Sequence, residues 1–298
     1  MTSTLEKTKL YTLLGDYPNT IALKKAEVTS TLLDFDFADV KVPNTAFKPL
    51  VREARFDVGE LAIVTYLQAK DYGKPYVLVP ATVLGRGQHH TIVYNPQRGA
   101  LSARDLTGKR VGVRAYTQTT GAWVRGFLSD DYGVDCAKVR WITFEDPHLA
   151  EYKDPDFVER APEGKVLVQM LLDGELDAAI VGDKIPDPRL ALLIPDADMV
   201  AQAWAKTHGG VPINHMIVIR DAISKSRPDL VREIYRVLYE SRRAVPPPMG
   251  SPADPWRFGV EANRRSLEII VDYSFHQKLI SRKFSVDELF DDCTRALG

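Results

Sequence analysis

Arg86-Gly87-Gln88-His89-His90 is the densest run of chemistry-bearing side chains in the sequence. It lies between two strand-like apolar patterns, and Gly85 and Gly87 let the backbone turn close to a ligand. Arginine grips a carboxylate through two parallel hydrogen bonds, and histidine moves protons near neutral pH. Arg86 therefore reads as a carboxylate anchor and His90 as a proton donor, with His89 beside them as a further binding residue. His215 stands in the strand-like Ile213-Asn214-His215-Met216-Ile217, where it is expected to act as general base on a hydroxyl. Glu60 ends the run Phe56-Asp57-Val58-Gly59-Glu60 at the carboxyl end of a strand, and Asp16 sits in the turn Gly15-Asp16-Tyr17-Pro18-Asn19. Tyr116, Thr117, Thr119 and Thr120 accompany the start of a helix whose free N–H groups can bind an anion, with Trp123 and Arg125 one turn inside. Each residue also has a plainer reading. The two adjacent histidines suit a polar hinge loop, His215 and Trp123 a core, Asp16 an ordinary turn, and Arg125 a solvated helix face. His148, His208 and His276 are read as structural.

The elements that must position these groups alternate between strand and helix patterns, which predicts an α/β protein. Strands are expected at 9–15, 38–42, 56–64, 76–80 and 91–94, with a helix over 46–54. A new unit begins near Asn95, with a short helix, a Gly turn and a strand over 101–113. A helix over 119–131, opened by capping threonines, and a strand over 139–144 follow. Residues 166–180 then read as helix, Gly stop and strand. Val211–Ile219 reads as a return strand and 228–244 as an amphipathic helix broken by Pro246-Pro247-Pro248. Two more helices, over 256–272 and 286–297, close the chain. The expected division is one lobe from residues 1–95 and 213–298, and a second from 96–212.

Composition narrows the partners. The 298 residues are 45% hydrophobic and 27% charged, ordinary for a folded protein, and are enough for two lobes. A formal charge of -1 provides no electrostatic footprint for nucleic acid. The polar opening from Met1 to Leu10 does not read as a secretory leader, and no apolar run approaches the ~18 residues of a membrane span. A cytoplasmic location, with no membrane partner, is the expectation. Cys136 and Cys293 lie far apart and form neither a ligand spacing nor a disulfide framework. The oligomeric state is left open, a homo-oligomer included.

Leu106-Thr-Gly-Lys-Arg-Val-Gly-Val113 and Leu171-Leu-Asp-Gly-Glu-Leu-Asp-Ala-Ala-Ile180 resemble the second lobe of type II periplasmic binding proteins. Gly15-Asp16-Tyr17, Phe56–Leu61, Arg86…His90-Thr91, Tyr116…Thr119…Trp123-Val124-Arg125 and Pro212…His215 are, in order and spacing, similar to the 4,5-dihydroxyphthalate decarboxylase family over residues 8–243. The resemblance implies a two-lobed fold with a ligand cleft between lobes and extra C-terminal helices. It also implies a carboxy-lyase acting on a hydroxylated aromatic acid in phthalate degradation. The residues suit that chemistry. A hydroxyl para to the departing carboxylate feeds electrons to the carbon that must be protonated, so no organic electron sink is required and no cofactor is expected. A divalent metal held by His89, His90, His215 and Glu60 is the alternative, although no HxH or HxxxH spacing favours it. The competing functions are a solute-binding protein for a small carboxylate and a pyrimidine-forming enzyme of thiamine biosynthesis. The latter resemble one another in a cysteine-rich motif that two scattered cysteines do not match.

Overall fold

The computed structural model describes residues 6–248 and 254–298, so the first five residues of the opening read for a leader lie outside the described residues. The chain forms two compact units. One holds residues up to Arg86, Ile213–Glu268 and Phe284–Gly298; the other holds Gly87–Pro212 and Ile269–Lys283.

In the first unit the chain runs β1 (Thr8–Leu13), α1 (Ile21–Lys24), β2 (Leu33–Phe37), α2 (Phe47–Glu53), β3 (Val58–Ala62), α3 (Ile63–Asp71) and β4 (Tyr76–Gly85). In the second it runs β5 (Ile92–Tyr94), β6 (Arg110–Val113), α4 (Thr119–Asp130), β7 (Arg140–Thr143), β8 (Val158–Arg160), α5 (Leu167–Asp173), β9 (Ala178–Ile180), β10 (Ala191–Leu192) and α6 (Ala197–His208). The return adds β11 (Ile213–Arg220), α7 (Asp221–Ser226), α8 (Pro228–Arg243), α9 (Val260–His276) and α10 (Asp292–Arg295).

The first unit is built on a mixed sheet in the order β2-β1-β3-β11-β4, with β11 antiparallel between β3 and β4. Helix α8 covers it because Leu230, Val231, Ile234, Val237 and Leu238 recur at helical spacing and meet Leu10, Val79 and Ile217 in one core. The second unit has the mixed order β10-β5-β9-β6-β7-β8. Its core joins Val93, Ile142 and Ala179 to Met170 and Leu171 of α5.

Several expected boundaries shift. The 91–94 strand, assigned with the first lobe, belongs to the second sheet because β5 pairs with β9 and β10. The division accordingly falls after Arg86 instead of near residue 95. Residues 269–283, assigned to the first lobe with the C-terminal helices, group with the second unit. There Tyr273 fills the space left by Gly126 on α4, where a Cβ would lie 2.0 Å from the ring. Gly126→Ala is expected to destabilise this packing by ~1–3 kcal/mol, measurable as a lower denaturation midpoint. The strand expected at 38–42 lies earlier, as β2, because Leu33 to Phe37 carry the ladder with Thr8 to Thr12. Ile63 and Val64 open α3 and are not part of the preceding strand. Thr119 and Thr120 are the first residues inside α4; Gln118 is its N-cap and makes no side-chain cap bond. The helix expected over 286–297 is split, since Asp291 starts a new turn by capping Thr294 N–H at 2.8 Å.

Candidate active site

The first unit gathers its chemistry at the carboxyl ends of its parallel strands, the ligand-binding edge of such sheets. β3 and β11 pair with His215 opposite Ala62 and Ile217 opposite Glu60. Opposed residues share a face, so Glu60 is the diagonal neighbour of His215. The Glu60 carboxylate is fully buried and fully engaged. Oε2 accepts Gly15 N–H at 2.7 Å, while Oε1 accepts the Tyr17 hydroxyl at 2.7 Å and meets His215 Nδ1 at 2.9 Å. A buried carboxylate without such donors would be strongly unfavourable. The His215 side chain keeps 15% exposure, and Phe47 of α2 packs edge-on against its ring at 5.1 Å. Arg86 follows β4 at the same sheet edge and is half-buried. Asp16 does not join this group; its side chain is 70% exposed and pairs with Lys24. Tyr17 is the member that the sequence reading passed over, although it lies inside the Gly15-Asp16-Tyr17 phrase.

The second unit holds another histidine–carboxylate pair. β5 runs antiparallel to β9 with Ile92 opposite Ile180, so the start of one strand meets the end of the other. His90 Nε2 lies 3.0 Å from Asp183 Oδ1. Asp183 was also missed, and its signal is its position just beyond the apolar strand Ala178-Ala179-Ile180. Thr117, Thr119 and Thr120 lie after β6 and at the start of α4, all buried.

Other expected ligand contacts are structural. Arg125 is fully buried, not solvated; its Nε donates to Gln277 Oε1 at 2.7 Å and its Nη2 to the Tyr116 carbonyl at 2.6 Å. Its guanidinium covers the Tyr116 ring at 4.0 Å, and the Tyr116 hydroxyl donates to the Gln277 carbonyl at 3.2 Å. Trp123 is core, edge-on to Trp204 at 5.9 Å and to Tyr273 at 5.8 Å. His89 is fully buried and stacks on Phe127 at 4.0 Å. Burial, with His90 and His208 nearby, lowers its pKa from 6.5 to about 4. It is therefore neutral at physiological pH and serves packing, not carboxylate binding. His208 stacks on Trp204, and His276 is exposed beside Asp272. Among the described residues no three His, Cys, Asp or Glu side chains cluster to hold a metal. Among the described residues, no helix is long and apolar enough to cross a membrane.

Two curated relatives share most of the chain. A 4,5-dihydroxyphthalate decarboxylase of Pseudomonas putida is 33% identical over 214 residues, covering 67% of this chain and 82% of the relative. Another, of Comamonas testosteroni, is 29% identical over 255 residues, covering 81% and 76%. No family model matches. Among solved structures, the alkanesulfonate-binding protein SsuA of Xanthomonas axonopodis pv. citri bound to MOPS aligns with TM-score 0.57 at 12% identity, covering 96% of this chain and 99% of that one. The periplasmic aliphatic sulphonate binding protein SsuA of Escherichia coli aligns with TM-score 0.58 at 11% identity, covering 96% and 93%. At these identities the likeness is one of fold, that of the periplasmic binding proteins.

Proposed function

The chain belongs to the 4,5-dihydroxyphthalate decarboxylase family, and from that premise we propose that it removes CO2 from a hydroxylated aromatic diacid of the 4,5-dihydroxyphthalate kind, in phthalate degradation. The observation that carries this reading is the Glu60–His215 pair at the ligand-binding edge of the first sheet. A carboxylate only accepts hydrogen bonds, so Nδ1 of His215 holds the proton and Nε2 is left to accept one.

In the proposed reaction His215 takes the proton of the phenol para to the departing carboxylate. The phenolate pushes electrons to that ring carbon, which takes a proton from His90. The carbon becomes tetrahedral, the C–C bond breaks, CO2 leaves, and the bonding electrons restore the aromatic ring. Arg86 is assigned the retained carboxylate. The substrate thus serves as its own electron sink, which supports a cofactor-independent reaction.

The test is CO2 release by the purified protein from 4,5-dihydroxyphthalate in D2O, with and without a chelator. One deuterium is expected on the carbon that lost CO2, at a rate the chelator leaves unchanged. Activity abolished by chelator and restored by one metal would replace this mechanism. Tight binding without turnover would favour the second reading, a binding protein for carboxylates on the fold that the chain has in common with the SsuA proteins. Arg86→Ala is expected to weaken binding of a non-reacting aromatic diacid by roughly 2–4 kcal/mol in calorimetric titration, because the retained carboxylate loses its partner. An unchanged affinity removes Arg86 from this role.

A further inference from the structure

A histidine serves as a base only through the nitrogen without a proton, so its tautomer must be held. At His215 the holding group is Glu60, and Glu60 Oε1 is shared: it meets His215 Nδ1 at 2.9 Å and accepts the Tyr17 hydroxyl at 2.7 Å. Burial and the Glu60 charge push the Tyr17 phenol upward, so it stays protonated and donating throughout the neutral range. The Tyr17 loop is tied down at several points. Tyr17 N–H donates to Thr20 Oγ1 at 3.0 Å, Thr20 Oγ1 donates to the Gly15 carbonyl at 2.7 Å, and Asn19 Nδ2 donates to the Val83 carbonyl at 3.2 Å. The Tyr17 ring doubles back over Gly15 so closely that a Cβ at residue 15 would lie 2.7 Å from two ring carbons.

We propose that Tyr17 is a positioning residue: with the Gly15 N–H, its hydroxyl fixes the Glu60 carboxylate so that His215 keeps its proton on Nδ1 and presents Nε2. Residue 15 is glycine because any side chain there displaces the Tyr17 ring from Glu60. The kinetic consequence rests on the proposed role of His215 as base; the tautomer itself does not.

The experiment is nitrogen-15 NMR of the His215 ring in the resting protein, at a pH where the ring is neutral, alongside steady-state kinetics. The wild type is expected to show the Nδ1–H form alone. Tyr17→Phe keeps the ring and removes one hydroxyl; it should give a mixture of both tautomers, with kcat lowered ~10-fold and KM little changed, a smaller loss than the ~10²–10⁴-fold of removing a general acid or base outright. Gly15→Ala should give the same mixture, and the double variant should be no worse than either single one, because both act through one contact. A pure Nδ1–H signature retained in folded Tyr17→Phe, or a fully additive double variant, overturns the proposal. A tautomer shift in a protein that releases no CO2 would instead refute the decarboxylase reading and leave the lock standing.

Discussion

His215→Asn is expected to lower turnover of 4,5-dihydroxyphthalate by ~10²–10⁴-fold while KM stays within a few-fold. The asparagine amide can still donate to Glu60, so the buried carboxylate keeps three donors and the fold is retained. What it lacks is the second nitrogen that takes the phenolic proton. His90→Asn should cost a similar factor for the opposite reason, loss of the group that delivers a proton to the ring carbon. The acidity of the phenol separates the two. With a substrate analogue whose phenol already ionises at neutral pH, His215→Asn should recover because its substrate arrives as phenolate while the proton donor is still in place. His90→Asn should not recover. A fully active variant of either residue removes it from the mechanism, and recovery of His90→Asn instead would exchange the two roles.

The second large effect concerns acid stability. His89 is buried without a hydrogen-bond partner for either ring nitrogen among the described residues, and its folded pKa of about 4 lies below its ordinary 6.5. The unfolded chain therefore binds more protons than the folded one between those values. Stability should fall as pH drops from 6.5 to about 4 and then level off, a loss of about 3 kcal/mol from this residue. Asp131, beside His208, works in the other direction, because burial raises its pKa and its protonation favours the fold. His89→Phe keeps the aromatic stack on Phe127 and should flatten the acid limb. Urea unfolding at pH 7 and pH 4.5 measures it; an identical pH dependence in wild type and variant would sink the assignment.

Much of the site was legible because its signals are local. Strand spacing places Glu60 at the end of one apolar run and His215 inside another. The phrases around Gly15, Phe56 and Pro212 pointed to the family. The α/β alternation likewise follows from short-range hydrophobic period and turn chemistry. The misplaced 38–42 strand and the boundary expected near residue 95 were errors of pairing. Period alone does not say which of two neighbouring alternating runs finds a ladder partner, nor which sheet a short strand such as β5 joins.

By itself the sequence determined that buried strands carry Glu60 and His215, and that a helix with threonines at its start carries Trp123 and Arg125. Only the tertiary structure decided their partners. Glu60 meets His215 across 155 residues of chain, with Tyr17 and Gly15 arriving from a third strand end. Adjacent histidines part company, one into an aromatic stack and one toward Asp183. Arg125, which any surface-helix reading leaves in water, is buried against Gln277 and Tyr116. The physical reason is that periodicity specifies which side chains share a face. Whether that face meets solvent, core or a charge depends on segments distant in sequence that only the folded chain brings together.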